Sequence, residues 1–191
     1  MKRVFGYTIV CAALVFALGV RVQGQEGGGA VPAGASVEET SLRLKGADGK
    51  TYDVGEMRGQ VVLVSFGATW CQPCQEELKA LEELKKEYKD RGVKFLWVSI
   101  ESEDEVSDSR LRDYAKKLKL SFPVLRDPDK SAFARFSARM RLPTILFFDR
   151  AGRLSLPNHV GITAIPRYMA DLRARLDKLV PTTAATDSSN R

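Results

Sequence analysis

The stretch Val61-Val62-Leu63-Val64-Ser65-Phe66-Gly67-Ala68-Thr69-Trp70-Cys71-Gln72-Pro73-Cys74 decides how the rest of the chain is read. Its apolar run ends in small residues, then come Trp70 and a Cys-x-x-Cys pair, and an amphipathic, charge-rich segment follows at once. That order reads as strand, loop, cysteine pair, helix. It sets Cys71 at or beside a helix N-terminus, where peptide dipoles favour negative charge. The thiolate is the reactive form of cysteine, and such a position favours it. The stretch reads as a two-electron redox switch. The competing readings are half of a zinc site and a purely structural disulfide. Structural zinc takes four ligands, and the chain holds one further cysteine, Cys11, and one histidine, His159.

Working outward, residues 1–24 carry the marks of an export signal: basic Lys2-Arg3, an apolar Val4–Val20, and Val22-Gln23-Gly24 before a cleavage point. The apolar run approaches the about 20 residues of a membrane span, so an uncleaved anchor over residues 4–20 is the rival. Either way the remainder faces an oxidising compartment, where Cys71 and Cys74 have only each other. The net charge is +6; without Lys2, Arg3 and Arg21 it falls to 27 basic against 24 acidic residues. That is too mild for a nucleic-acid binder, and no glycine-rich phosphate loop is present.

Residues 25–40 are glycine-rich and read as a flexible linker. Residues 41–45 and 51–54 form a strand pair around the turn Ala47-Asp48-Gly49-Lys50. A helix is expected from the cysteine pair to about Asp90, with Glu77, Leu81, Leu84 and Tyr88 on one face. This face buries Cys74 and tilts Glu77 inward beneath it. Further strands are expected at 93–100, 122–125, 142–149 and 154–160, the last broken by Pro157. Helices are expected at about 105–119, 131–138 and 164–180. Residues 181–191 read as a disordered tail. The order describes an α/β sandwich: a central mixed β-sheet flanked by helices, with an N-terminal β-hairpin extension.

Trp70-Cys71-Gln72-Pro73-Cys74 with Leu142-Pro143-Thr144 downstream resembles the thioredoxin fold. More narrowly, the chain resembles exported TlpA/ResA-type thiol–disulfide oxidoreductases over about residues 41–180. Val61–Phe66 leading to the cysteines, Glu77 three residues beyond them, and the Asp48-Gly49-Lys50 hairpin also carry the likeness. The resemblance implies a thioredoxin-like enzyme with a Cys71–Cys74 disulfide. Cys71 is then the exposed nucleophile and Cys74 the resolving thiol. Pro143 is cis, against a trans proline at a strand start as the ordinary alternative. Leu142 and Trp70 receive the partner, Trp70 also shielding the pair. Exchange of this kind needs no bound cofactor. The implied partners are a protein disulfide or dithiol client and an upstream membrane thiol donor, as in cytochrome c maturation or copper-site assembly.

The sequence departs from the family pattern at two places. Gly67 stands where a bulky aromatic is common, which opens space near Trp70. Ser65 stands where cytosolic thioredoxins place a buried acid, which passes acid–base work to Glu77; the alternative is a solvent-facing helix glutamate. His159 could join the cysteines as a Cu(I) ligand, making a copper chaperone the second functional reading, or could be a plain edge-strand histidine. Arg135, Arg139 and Arg141 could rim the site or form a solvated face. A thiol peroxidase needs Pro and Thr seven and three residues before the cysteine; Val64 and Ala68 occupy those positions.

Overall fold

The computed structural model describes residues 41–180; the expected signal, linker and C-terminal tail lie outside them. The apolar run of the deciding stretch becomes β3 (Val61–Gly67), buried at every position. Burial on both faces requires cover on both sides of a sheet, and β3 sits at its centre. With β4 (Val93–Ser99), β5 (Val124–Arg126), β6 (Thr144–Phe148) and β7 (Leu154–Val160) it forms a five-stranded sheet ordered β5-β4-β3-β6-β7. β3 runs parallel to β4 and antiparallel to β6. The hairpin strands β1 (Arg43–Lys45) and β2 (Thr51–Asp53) pair separately.

Strand alternation divides the core in two. Val61, Leu63, Phe95, Trp97, Ile145 and Phe147 point one way. They meet Leu78, Leu81 and Leu84 of α1 (Gln72–Glu87), Leu111 of α2 (Asp108–Lys117), and Tyr168, Leu172 and Leu176 of α4 (Ile165–Leu179). Val62, Val64, Phe66, Leu96, Val98, Leu146 and Phe148 point the other way. There they meet Leu42 and Val54 from the hairpin side and Phe133 of α3 (Ser131–Phe136). Each such large side chain gains roughly 1.5–3 kcal/mol on burial, so truncating the central Leu63 or Leu81 removes contacts between the sheet and the helices on the first of these faces. This is the α/β sandwich expected from the sequence, and it is thioredoxin-like.

The hairpin is tied on by Ala47 N–H donating to the Val124 carbonyl at 2.8 Å. Its turn needs glycine at one place, Gly49 with φ +82°. Several boundaries differ from expectation. α1 stops at Glu87 rather than Asp90, capped at Tyr88. α2 begins at Asp108 because the Ser107 hydroxyl accepts the Arg110 N–H, closing the helix start three residues late. β5 starts after Pro123, which lacks an N–H, not at Phe122. β7 passes through Pro157, with a register shift against β6 in place of a break.

Candidate functional site

The C-terminal ends of the parallel strands β3 and β4 and the N-terminal end of β6 lie at one edge of the sheet. Chain leaving β3 passes Ala68 and Thr69 and reaches Cys71, which is the N-cap of α1. Its sulfur accepts the Cys74 N–H at 3.3 Å, one of the donors a helix start leaves open. Cys71 and Cys74 are joined by a disulfide. Cys71 is 6% exposed and Cys74 fully buried, so Cys71 is the reachable sulfur, although less open than expected of an exposed nucleophile. β6 enters at Thr144 opposite Phe66, which sets Pro143 at the same edge as the loop to Cys71. The Leu142–Pro143 bond is cis, as is Leu156–Pro157.

Glu77 is 1% exposed, which rules out the solvent-facing alternative. It lies three residues after Cys74, on the same buried side of α1. Ser65 Oγ donates to Glu77 Oε2 at 2.5 Å, and Tyr168 Oη donates to Oε1 at 2.5 Å. Burial raises the Glu77 carboxyl and the two hydroxyl donors offset part of that rise, leaving it pushed up to about 7. Burial and the neighbouring Glu77 raise the Tyr168 phenol. Ser65, where a buried acid had been the point of comparison, thus holds the acid that α1 supplies.

A second buried carboxylate went unrecognised in the sequence. Glu101 follows β4 and accepts the Thr69 N–H at 2.7 Å, the Thr69 hydroxyl at 2.6 Å and the Ser99 hydroxyl at 2.9 Å. It pins the loop two residues ahead of Cys71. The available signal was topological: residues after β3 and after β4 of a parallel pair meet at one edge. Trp97 was also missed. The space left by Gly67 is filled by Trp97 from β4 instead of opening near Trp70: a Cβ on Gly67 would lie 2.7 Å from Trp97 Nε1. Trp70 itself stands 65% exposed, so it does not pack down as a shield.

His159 lies edge-on to the Tyr168 ring at 5.0 Å, and burial lowers the pKa of its imidazole. Among the described residues no group of three His, Cys, Asp or Glu side chains is arranged to hold a metal ion. Arg135 donates to the Ser41 carbonyl and lies over the Phe136 ring; Arg139 and Arg141 are exposed. No helix among the described residues is long and apolar enough to cross a membrane.

The thioredoxin-like protein YneN of Bacillus subtilis is 35% identical over 118 residues, covering 62% of this chain and 66% of the relative. The thiol-disulfide oxidoreductase ResA of Bacillus cereus is 29% identical over 107 residues, covering 56% of this chain and 59% of the relative. The chain thus spans somewhat under two thirds of the length of these relatives. Among solved structures, the exposed lipoprotein thioredoxin of Streptococcus pneumoniae superposes with a TM-score of 0.57 at 29% identity, over 70% of this chain and 98% of that one. A family model described as AhpC/TSA matches residues 36–156, a span that holds the hairpin, the cysteine pair, Pro143 and β6 and ends within β7. With both halves of the site inside a match of that extent, the chain belongs to the AhpC/TSA family.

Proposed function

We propose that this protein is an extracytoplasmic thiol–disulfide oxidoreductase acting as a reductase on a protein partner. The observation that carries the reading is the cysteine pair itself: Cys71 caps α1 and Cys74 lies sealed behind it, bonded to it. In the reduced protein the Cys71 thiolate attacks the client disulfide, forming a mixed disulfide and releasing one client thiolate. Glu77, held near neutrality by burial, takes the Cys74 proton. The Cys74 thiolate then attacks Cys71 Sγ, closing the Cys71–Cys74 bond and expelling the second client thiolate. Two electrons reach the client, and a membrane thiol donor restores the dithiol. Exposed Trp70 and the backbone of Leu142 beside Pro143 receive the client chain. A client of the apocytochrome or copper-site assembly kind and export by residues 1–24 complete the proposal.

The other readings have less support. A copper chaperone would use Cys71, Cys74 and His159, but His159 is packed against Tyr168. A thiol peroxidase would need a hydroxyl at position 68, where buried Ala68 has none, and the neighbouring Thr69 hydroxyl is bound to Glu101. The test is trapping in the exporting cell with Cys74→Ser. A covalent mixed disulfide through Cys71, reversed by dithiothreitol, is expected. If no adduct forms and the unsubstituted protein fails to reduce a small-molecule disulfide, the oxidoreductase reading is wrong.

A further inference from the structure

Trp97, in the middle of β4, is wholly buried, and its indole N–H has no hydrogen-bond partner among the described residues. A buried donor left unpaired costs about 1–3 kcal/mol, and native interiors rarely keep one. Its surroundings are specific. A Cβ on Gly67 would stand 2.7 Å from Trp97 Nε1 and 3.3 Å from Cys74 Sγ. The indole nitrogen and the sulfur therefore border a single spot that only glycine leaves free. The two sulfurs also differ. Cys71 Sγ already accepts the Cys74 N–H. No donor reaches Cys74 Sγ among the described residues, yet an unused one lies close by.

We propose that the Trp97 indole N–H is the hydrogen-bond donor to the Cys74 thiolate that forms whenever the disulfide opens. The proposal rests on the exchange reading above. When a dithiol reductant attacks Cys71, its thiolate forms a new S–S bond to Cys71 Sγ. The Cys71–Cys74 bond breaks, and its electron pair leaves on Cys74 Sγ as a thiolate. The reductant's second thiolate then closes the reductant's own disulfide and releases Cys71 as a thiolate. Two electrons have passed from reductant to protein. A disulfide sulfur accepts hydrogen bonds weakly, whereas a thiolate accepts a charge-assisted one. The indole N–H therefore gains its partner only after the bond has opened. It stabilises Cys74 as leaving group in reduction and as waiting nucleophile in client resolution. Indole donates without giving up its proton, so proton movement stays with Glu77, and Trp97 tunes the sulfur's charge. Gly67 is a requirement of this arrangement, since any side chain there would collide with the indole nitrogen.

The test uses the Cys71→Ser protein, in which Cys74 stands alone. Cys74 ionisation is followed by thiolate ultraviolet absorbance and, in parallel, by the Trp97 indole proton resonance. Four other titratable groups face this region: Glu77, Tyr168, Tyr114 and Glu101. Burial and Glu77 raise the Tyr168 phenol, and Glu101 is held by the Thr69 and Ser99 donors while its charge acts on Tyr114. Glu77 is silenced by a Glu77→Gln background, and Tyr114, stacked on Trp97 at 5.4 Å, is pushed up to about 12 by burial and so stays out of the range. The indole proton is expected to move downfield in step with Cys74 ionisation. Trp97→Phe should weaken that ionisation about tenfold. With both cysteines present, at a pH where Cys74 is ionised, the same substitution should shift the dithiothreitol equilibrium about tenfold toward disulfide, or about 30 mV. An indole resonance that ignores the titration, in protein whose wild type exchanges normally, overturns the proposal. So does an unchanged Cys74 ionisation in Trp97→Phe. If Trp97→Phe does not fold, the resonance titration decides alone, since it keeps Trp97. A wild type that does not exchange with dithiothreitol at all removes the oxidoreductase reading, and the proposal with it.

Discussion

Two glutamates are buried close to the chain that delivers Cys71, and they are satisfied in different ways. Glu101 meets a backbone N–H and two hydroxyls, all belonging to Thr69 and Ser99 beside it at the sheet edge. Glu77 meets two hydroxyls from distant elements, Ser65 on β3 and Tyr168 on α4. A backbone N–H is a fixed donor that cannot accept in return, so it commits Glu101 to the role of clamp. Hydroxyls rotate and both donate and accept. Glu77 can therefore gain a proton without orphaning either neighbour, as an acid–base group must. The difference between the two is whether the donors tolerate a change of charge.

The sharpest way to break this division is Glu101→Ala. It leaves the Thr69 N–H and two hydroxyls without their acceptor, and buried groups so orphaned cost about 1–3 kcal/mol each before relaxation. We expect a loss of roughly 4 kcal/mol in urea unfolding, while the shape of the exchange–pH profile stays as in wild type. A shifted profile would mean that Glu101 takes part in the proton chemistry.

Glu77→Gln should do the reverse. The Glu77 carboxyl titrates at about 7 in the folded protein against an ordinary 4.5. A raised carboxyl holds its proton better folded than unfolded. Its contribution to stability is therefore complete below about pH 4.5 and is lost as pH rises to about 7, a total near 3 kcal/mol. The Gln variant should lack that slope and be the more stable protein at about pH 8. It should also exchange disulfides about 100-fold more slowly there, the scale of a lost general base. Parallel stability curves for the two proteins, or an equal exchange rate, would return Glu77 to a structural role.

How much of this was legible in the sequence follows from the range of the interactions involved. The strand Val61–Phe66, the cap at Cys71 and the inward lean of Glu77 depend on local periodicity and end effects, and so could be read directly. The hydroxyl pair around Glu77 depends on Tyr168 packing against α1 from 91 residues away, which no local pattern encodes. Glu101 was hidden because its neighbourhood, Glu101–Asp108, reads as an ordinary acidic loop until β3 and β4 are known to be parallel. Trp97 was hidden for a related reason. Its fit depends on Gly67 one strand away, and the absence of a side chain at 67 gave no hint of which residue fills the gap.

The smallest effect tests the comparison most finely. Tyr168→Phe removes one of the two donors to Glu77 and keeps the ring that His159 packs against. A hydrogen bond to a charged group is worth about 1.5 kcal/mol at the lower end, close to one pH unit of carboxyl ionisation. Losing it raises Glu77 further, because the donors are what offset burial. Exchange should then slow several-fold at about pH 7 and recover at about pH 9, moving the whole profile alkaline by roughly one unit. A purely structural Tyr168 would lower stability without moving the midpoint. In a Glu77→Gln background the substitution should have no effect on the profile at all, and a shift that persists there would show that the pH dependence belongs to some group other than Glu77.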